Sequence, residues 1–126
     1  ATKFTREDGL KDFTDILAAN PQIDAVYSLD DETSIGCLQA ISDAGRTDIK
    51  VITGGGGMQE YFKMMPENKD IWICSALYSP MMVRDAVDMA VSVLKGDKVD
   101  AVKVIPTTIV DRDNCAQYID PNNTVY

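Results

Sequence analysis

The sequence predicts an α/β fold built on a parallel, doubly wound sheet, and three observations carry that prediction. Short, β-branched apolar runs alternate with longer segments of helical periodicity. The helical segments open on capping residues or close on stop residues. Four consecutive glycines, Gly54, Gly55, Gly56 and Gly57, separate a β-branched run from a helical one, at the kind of junction where such a sheet gathers its ligand loops.

The elements follow in order. TRED (residues 5–8) has the form of a capping box, and Leu10, Phe13, Ile16 and Leu17 then recur at helical spacing until Asn20 and Pro21 end the run. IDAVYSL (residues 23–29) is the first strand, and it ends in Asp30 and Asp31, which can cap the next helix. Ile35, Leu38, Ile41 and Ala44 form that helix's inner face, with Gly45 as its stop. DIKVIT (residues 48–53) is the second strand. Met58, Tyr61, Phe62 and Met65 predict a third helix ending at Pro66, and DIWICSA (residues 70–76) a third strand with Trp72 in the core. The longest helix opens at Pro80, carries Val83, Ala86, Val87, Ala90 and Leu94 on one face, and closes at Gly96. Residues 100–111 read as extended, with Pro106 barred from a central-strand hydrogen bond. A short terminal helix is expected over residues 113–119. The sheet is expected to be covered on both faces, with right-handed crossovers.

Composition narrows the function. At 126 residues, 45% hydrophobic and 25% charged, the chain has material for one core. Its net charge of -8 opposes phosphodiester backbones and anionic lipid, so no nucleic-acid partner is expected. No apolar stretch approaches about 18 residues, and the opening ATKFTREDGL has neither an initiator Met nor the regions of a signal peptide, so the chain reads as processed or truncated. Cys37, Cys74 and Cys115 are widely spaced and the chain contains no His, which removes zinc fingers and histidine-based catalysis. The thiols read as small packed hydrophobes, and no metal or cofactor is expected. Carboxylates alone, without a Ser elbow or a metal cluster, do not fill the roles an enzyme needs, so no catalytic residue is assigned.

Three strand-to-helix loops could hold a ligand: LDDE (residues 29–32), TGGGG (residues 53–57) and LYSP (residues 77–80). The first offers carboxylates, the second bare amides at a helix start, and the third the Tyr78 ring, a set suited to a small hydroxylated or polar ligand. Each also has a plain reading: Asp30 and Asp31 as helix caps, Tyr78 as a packed aromatic. The glycines lack the Lys-Ser/Thr that completes a P-loop.

Taken together, IDAVYSLDDETSIGCLQAISDAG, DIKVITGGG and ALYSPMMVRDAVDMAVSVLKGDKV resemble the C-terminal part of type I periplasmic sugar-binding proteins of the ribose-binding kind, over roughly residues 9–110. Those proteins serve ABC importers and chemoreceptors. The effector-binding domains of LacI-type transcriptional regulators share the fold and are the alternative. The resemblance implies two Rossmann-like α/β lobes that close on a ligand like a hinged jaw. Residues 1–78 would be a portion of the C-terminal lobe, residues 79–106 a helix and hinge segment belonging to the N-terminal lobe, and residues 107–126 a return to the C-terminal lobe. It implies capture of a sugar or sugar-like small molecule, an ABC transporter permease as partner of the intact protein, and an extracytoplasmic location, in the periplasm or as a membrane-anchored lipoprotein.

The family's ligand positions fall on Asp30, on Gly55 where a loop aspartate is usual, and on Tyr78 where an amide is usual. The expected ligand-binding set is therefore Asp30, Gly54, Gly55, Gly56 and Tyr78. Amides along Gly54 to Gly57 would suit acceptor oxygens on the ligand, an expectation that tight binding of an ordinary unmodified sugar alone would overturn. With the other lobe missing from this chain, the long helix is expected to pack on the chain's own sheet or on a second copy, and the edge of the first strand to invite pairing, so a homodimer is expected.

Overall fold

The structure, a computed structural model, describes residues 3–78, 80, 82–123 and 125. Helix α1, Arg6–Ala19, begins as its sequence requires: the Thr5 hydroxyl accepts the Asp8 amide at 3.2 Å, and Glu7 and Asp8 place negative charge at the positive end of the helix. Strand β1, Ala25–Val26, then leads to α2, Asp31–Asp43, capped by Asp30. Strands β2, Val51–Ile52, and β3, Gly55–Gly56, precede α3, Gln59–Glu67. Pro66 falls inside the last turn of α3, where it forfeits little of the ladder, so the helix runs one residue past the expected stop. Strand β4, Trp72–Leu77, helix α4, Met82–Lys95, and strand β5, Thr108–Asp111, complete the elements apart from a 3-10 turn, Cys115–Gln117. That turn is all that forms of the terminal helix expected over residues 113–119.

The sheet pairs β1 with β2, β2 with β4 and β3 with β4, all in parallel. Val51 lies opposite Trp72, Ile52 opposite Ile73, Gly55 opposite Ala76 and Gly56 opposite Leu77. The register never slips between these pairs, so β2 and β3 are one strand line interrupted at Thr53 and Gly54. This corrects the reading of residues 53–57 as wholly a loop. Strand β5 pairs antiparallel with the other edge of β4, starting two residues beyond Pro106.

Cross-strand partners share a face, which makes the burial pattern interpretable. Val26, Ile52, Ile73, Ser75 and Val110 point to one side and are buried. Val51, Trp72, Cys74, Ala76 and Ile109 point to the other and are half-buried or exposed. Among the described residues the cover is therefore one-sided, where a doubly wound sheet has helices on both faces. Trp72 is accordingly not core: it is 37% exposed, and the Arg112 guanidinium lies 4.4 Å from its ring centroid.

The buried side holds one apolar cluster, with Phe13 and Leu17 of α1, Ile35, Leu38 and Ile41 of α2, and Tyr61, Phe62 and Met65 of α3. Helices α1 and α2 cross with their backbones touching. A Cβ on Gly9 would lie 2.7 Å from the Thr33 carbonyl oxygen, and one on Gly36 would strike the Arg6 carbonyl and lie 2.7 Å from the Leu10 nitrogen. Arg46 fastens the far end: it pairs with Asp48 at 2.6 Å and donates to the Leu17 and Asn20 carbonyls, while Asp48 accepts the Ile23 amide at 2.7 Å. The Arg46 guanidinium holds the Asp48 carboxyl well below the usual carboxylate range. Buried Gln59 ties down the C-terminal stretch, donating to the Tyr118 carbonyl and accepting the Asp120 amide.

Helix α4 departs from expectation. Its apolar stripe is clear in sequence, yet none of its described residues is buried, and Leu94 is 87% exposed. The expected packing of α4 on the chain's own sheet is therefore not formed in this structure.

Candidate functional site: a cleft at the carboxyl end of the sheet

The loops that follow β1 and β4 and the end of the β2–β3 line converge on one cavity of about 470 Å³, lined by Asp30, Asp31, Glu32, Gly55, Gly56 and Tyr78 together with the start of α4. This is where an open α/β sheet places its ligands. Four of the five site residues expected from sequence, Asp30, Gly55, Gly56 and Tyr78, are brought together here. Gly54 is not among the lining residues. A Cβ on it would collide with Asp31 Oδ1 and lie 2.7 Å from Tyr61 Cε1, so it faces the protein interior.

The two aspartates divide their work. Asp30 is the N-cap of α2, its Oδ1 accepting the Thr33 amide at 2.9 Å, and it remains partly exposed to the cavity. Asp31 is not a cap but a buried tie: Oδ2 accepts the Gly57 and Met58 amides at 3.0 and 2.8 Å, and Oδ1 accepts the Ser75 hydroxyl at 2.7 Å. Burial pushes its carboxyl up from the ordinary range, and the donors from Met58, Ser75, Gly57 and Gly55 oppose that rise. Spacing could not have signalled this role, since the donors lie far away in sequence.

The amides at the start of α3 are therefore spent on Asp31, and the expectation that Gly57 offers a free amide to a ligand is corrected. The four glycines have separate reasons. Gly54 and Gly55 lack room for a side chain: a Cβ on Gly55 would lie 2.8 Å from the Leu29 carbonyl oxygen and 3.1 Å from Tyr78 Cε1. Gly56 and Gly57 adopt φ values of 124° and 105°, which side chains disfavour. Where the resemblance implied an aspartate at position 55, the ring of Tyr78 takes up the adjoining space.

The charged side chains that line the cavity, Asp30, Asp31 and Glu32, are all acidic. Arg6, itself outside the lining, donates from Nε to Glu32 at 3.1 Å and in bidentate fashion to Glu60 at 3.0 and 2.8 Å. This joins the starts of α1, α2 and α3 beside the cleft. Among the described residues no group of carboxylates and thiols is arranged to hold a metal ion, and no helix is long and apolar enough to cross a membrane.

The sequence matches the family described as periplasmic binding protein domain over residues 1–98. The chain belongs to that family. It is 33% identical over 98 residues to the ribose import binding protein RbsB of Salmonella typhimurium, covering 78% of this chain and 32% of that protein. The chain thus spans about a third of the length of the curated relatives it matches. A Mycobacterium smegmatis ABC transporter solute-binding protein with bound glycerol superposes with a TM-score of 0.85 at 25% identity, over 97% of this chain and 42% of that one. The binding protein of the arabinose ABC transporter from Shewanella sp. ANA-3, bound to L-arabinofuranose, superposes with a TM-score of 0.77 at 30% identity, over 90% of this chain and 39% of that one. The type I periplasmic sugar-binding resemblance and its α/β fold are thereby established.

Proposed function

We propose that this chain forms part of a solute-binding protein that captures a sugar or sugar-like ligand for ABC-type import outside the cytoplasm. The carrying observation is the convergence of Asp30, Gly55, Gly56 and Tyr78 on one cavity at the carboxyl end of the sheet. The named relatives are import and solute-binding proteins, which favours this reading over the effector domain of a LacI-type regulator.

On this reading residues 1–78 and 107–126 build one lobe's share of the cleft, and residues 79–106 belong to a second lobe. Support comes from α4, whose apolar stripe finds no cover here, and from the open second face of the sheet. A second lobe would close the cavity over Tyr78 and bury α4, with a permease recognising the closed form. In the chain alone a second copy is the available cover, giving a homodimer. The reading involves ligand capture without catalysis.

The test is titration of the 15N-labelled chain with D-ribose, D-allose and L-arabinose. Saturable amide shifts confined to residues around Asp30, Gly55, Gly56 and Tyr78 are expected with at least one of them. Shifts centred elsewhere, or none with any sugar, would remove the proposal.

A further inference from the structure

Resting on the site assigned above, we propose that this cleft selects against anionic ligands and favours a polyol or sugar carrying a protonated amine. The argument begins with the donors. In a helix-rich cleft an anion would be bound by helix N-terminal amides or by Lys and Arg. Here the Asp30 carboxylate caps the start of α2 by taking the Thr33 amide, so the helix-start amides of Asp31 and Glu32 sit beside a negative charge, and the Gly57 and Met58 amides before α3 are taken by Asp31. No Lys or Arg is among the residues lining the cavity. The nearest guanidinium, Arg6, is shared between Glu32 and Glu60, so that cluster keeps a net negative charge.

The acceptors remain. Asp30 presents Oδ2, which accepts from no protein donor among the described residues, and Glu32 presents the oxygen not used by Arg6. A helix N-terminus contributes about half a positive charge. The Asp30 carboxylate together with the net negative charge of the Arg6, Glu32 and Glu60 cluster outweighs it, and the net charge of -8 acts in the same direction at longer range. Tyr78 adds an aromatic ring beside Gly55, a surface that attracts the polarised C–H face of a ring compound or an ammonium group. The loop aspartate that family resemblance would place at position 55 is absent, yet the cleft stays acidic through Asp30 and Glu32. Ligand hydroxyls and an amine can donate to these carboxylates, whereas a carboxylate or phosphate brings like charge against them.

The test is a matched series in which one substituent changes: D-glucose, D-glucosamine and D-glucuronate, titrated into the labelled chain at mildly acidic pH and low salt. The amide shifts of Gly55 and Gly56 are the readout. Glucosamine is expected to bind about threefold more tightly than glucose, the scale of one partly exposed charge pair, and glucuronate more weakly than glucose. Added salt is expected to shrink the amine preference. The Asp30→Asn variant keeps a good helix cap while removing the charge, and in it the glucosamine-to-glucose ratio is expected to fall towards one. Glucuronate binding as tightly as glucose, or an amine preference unchanged in Asp30→Asn, would overturn the inference while leaving the sugar site standing. Silence of Gly55 and Gly56 with all three ligands would also overturn this inference, while the sugar site itself stands or falls on the ribose, allose and arabinose titration.

Discussion

The carboxylate of Asp31 accepts the amide of Met58 at 2.8 Å across a sequence separation of 27, and this bond joins the start of α2 to the start of α3 beneath the cleft. The same side chain holds Gly57 and, on its other oxygen, Ser75 of β4. One buried group thus fixes the relative positions of all three loops that line the cavity.

Removing it is expected to be costly. Asp31→Ala strands two backbone amides and a hydroxyl, each worth about 1 to 3 kcal/mol when buried without a partner, so a loss of at least about 3 kcal/mol is expected in urea unfolding. Asp31→Asn keeps an acceptor for the amides and is expected to cost much less. The pH behaviour separates the two further. Because burial raises the folded-state value above the ordinary 3.8, ionised Asp31 costs stability at neutral pH, and that cost is relieved as pH falls through the raised value towards 3.8. Asp48 acts oppositely: its value is lowered by Arg46, so its contribution is present above 3.8 and is lost as pH falls below it. Stability measured against pH for Asp31→Asn and Asp48→Asn should show each variant losing its own limb. Identical profiles in both variants and the parent would contradict the assignment.

The crossing of α1 and α2 gives a sharper contrast between two glycines. A methyl at position 36 meets the backbone at Arg6 and Leu10, which cannot yield without separating the helices, and Gly36→Ala is expected to destabilise by about 3 kcal/mol or more. Gly45 has a φ of 61° but open space around its would-be Cβ, so Gly45→Ala should cost only about 1 kcal/mol from backbone strain. Equal losses in thermal or urea unfolding would mean that the helices do not cross as closely as the structure has them.

Three cysteines provide an independent check on burial. Cys37 is buried in α2, and burial, with Asp30 nearby, pushes its thiol up to about 11; Cys115 is also buried. Cys74, on the less covered face of β4, is only half-buried, although burial raises it too. An aromatic disulfide reagent at mildly alkaline pH should modify Cys74 first, and Cys37 and Cys115 only as the protein unfolds. Fast modification of Cys37 in the native chain would contradict the packing of α2.

Much of this architecture was legible because local signals agreed with the tertiary outcome. Thr5, Asp30, most of the periodic apolar residues of α1 to α3 and the carboxyl-end loops did in the fold what their chemistry favours, whereas Ile16 and Ala44, read as inner-face residues, are exposed, Ala44 as the C-cap of α2. The missing information was non-local. No pattern within residues 31–34 can announce that Asp31 will meet Gly57, Met58 and Ser75, and no property of Trp72 tells which sheet face lacks a cover. The glycine run was recognised as a junction but misjudged as loop, since strand pairing of Gly55 and Gly56 depends on β4 continuing to Leu77.

Helix α4 poses the last question in its clearest form, because its sequence demands burial that this chain does not provide. Val87 is exposed in the centre of the stripe, and replacing it with Gln preserves helix propensity while removing apolar surface. In dilute solution Val87→Gln is expected to change the unfolding free energy by no more than about 0.5 kcal/mol, as at an exposed site. Phe62→Ala, in the buried face of α3, should lose about 3 kcal/mol or more in the same measurement. At high protein concentration the order reverses in importance: if α4 is covered by a second copy, light scattering should show a lower average mass for Val87→Gln than for the parent chain. A large loss of dilute stability in Val87→Gln would instead mean that α4 docks on its own body, and an average mass that is monomeric in both proteins would remove the second copy as its cover.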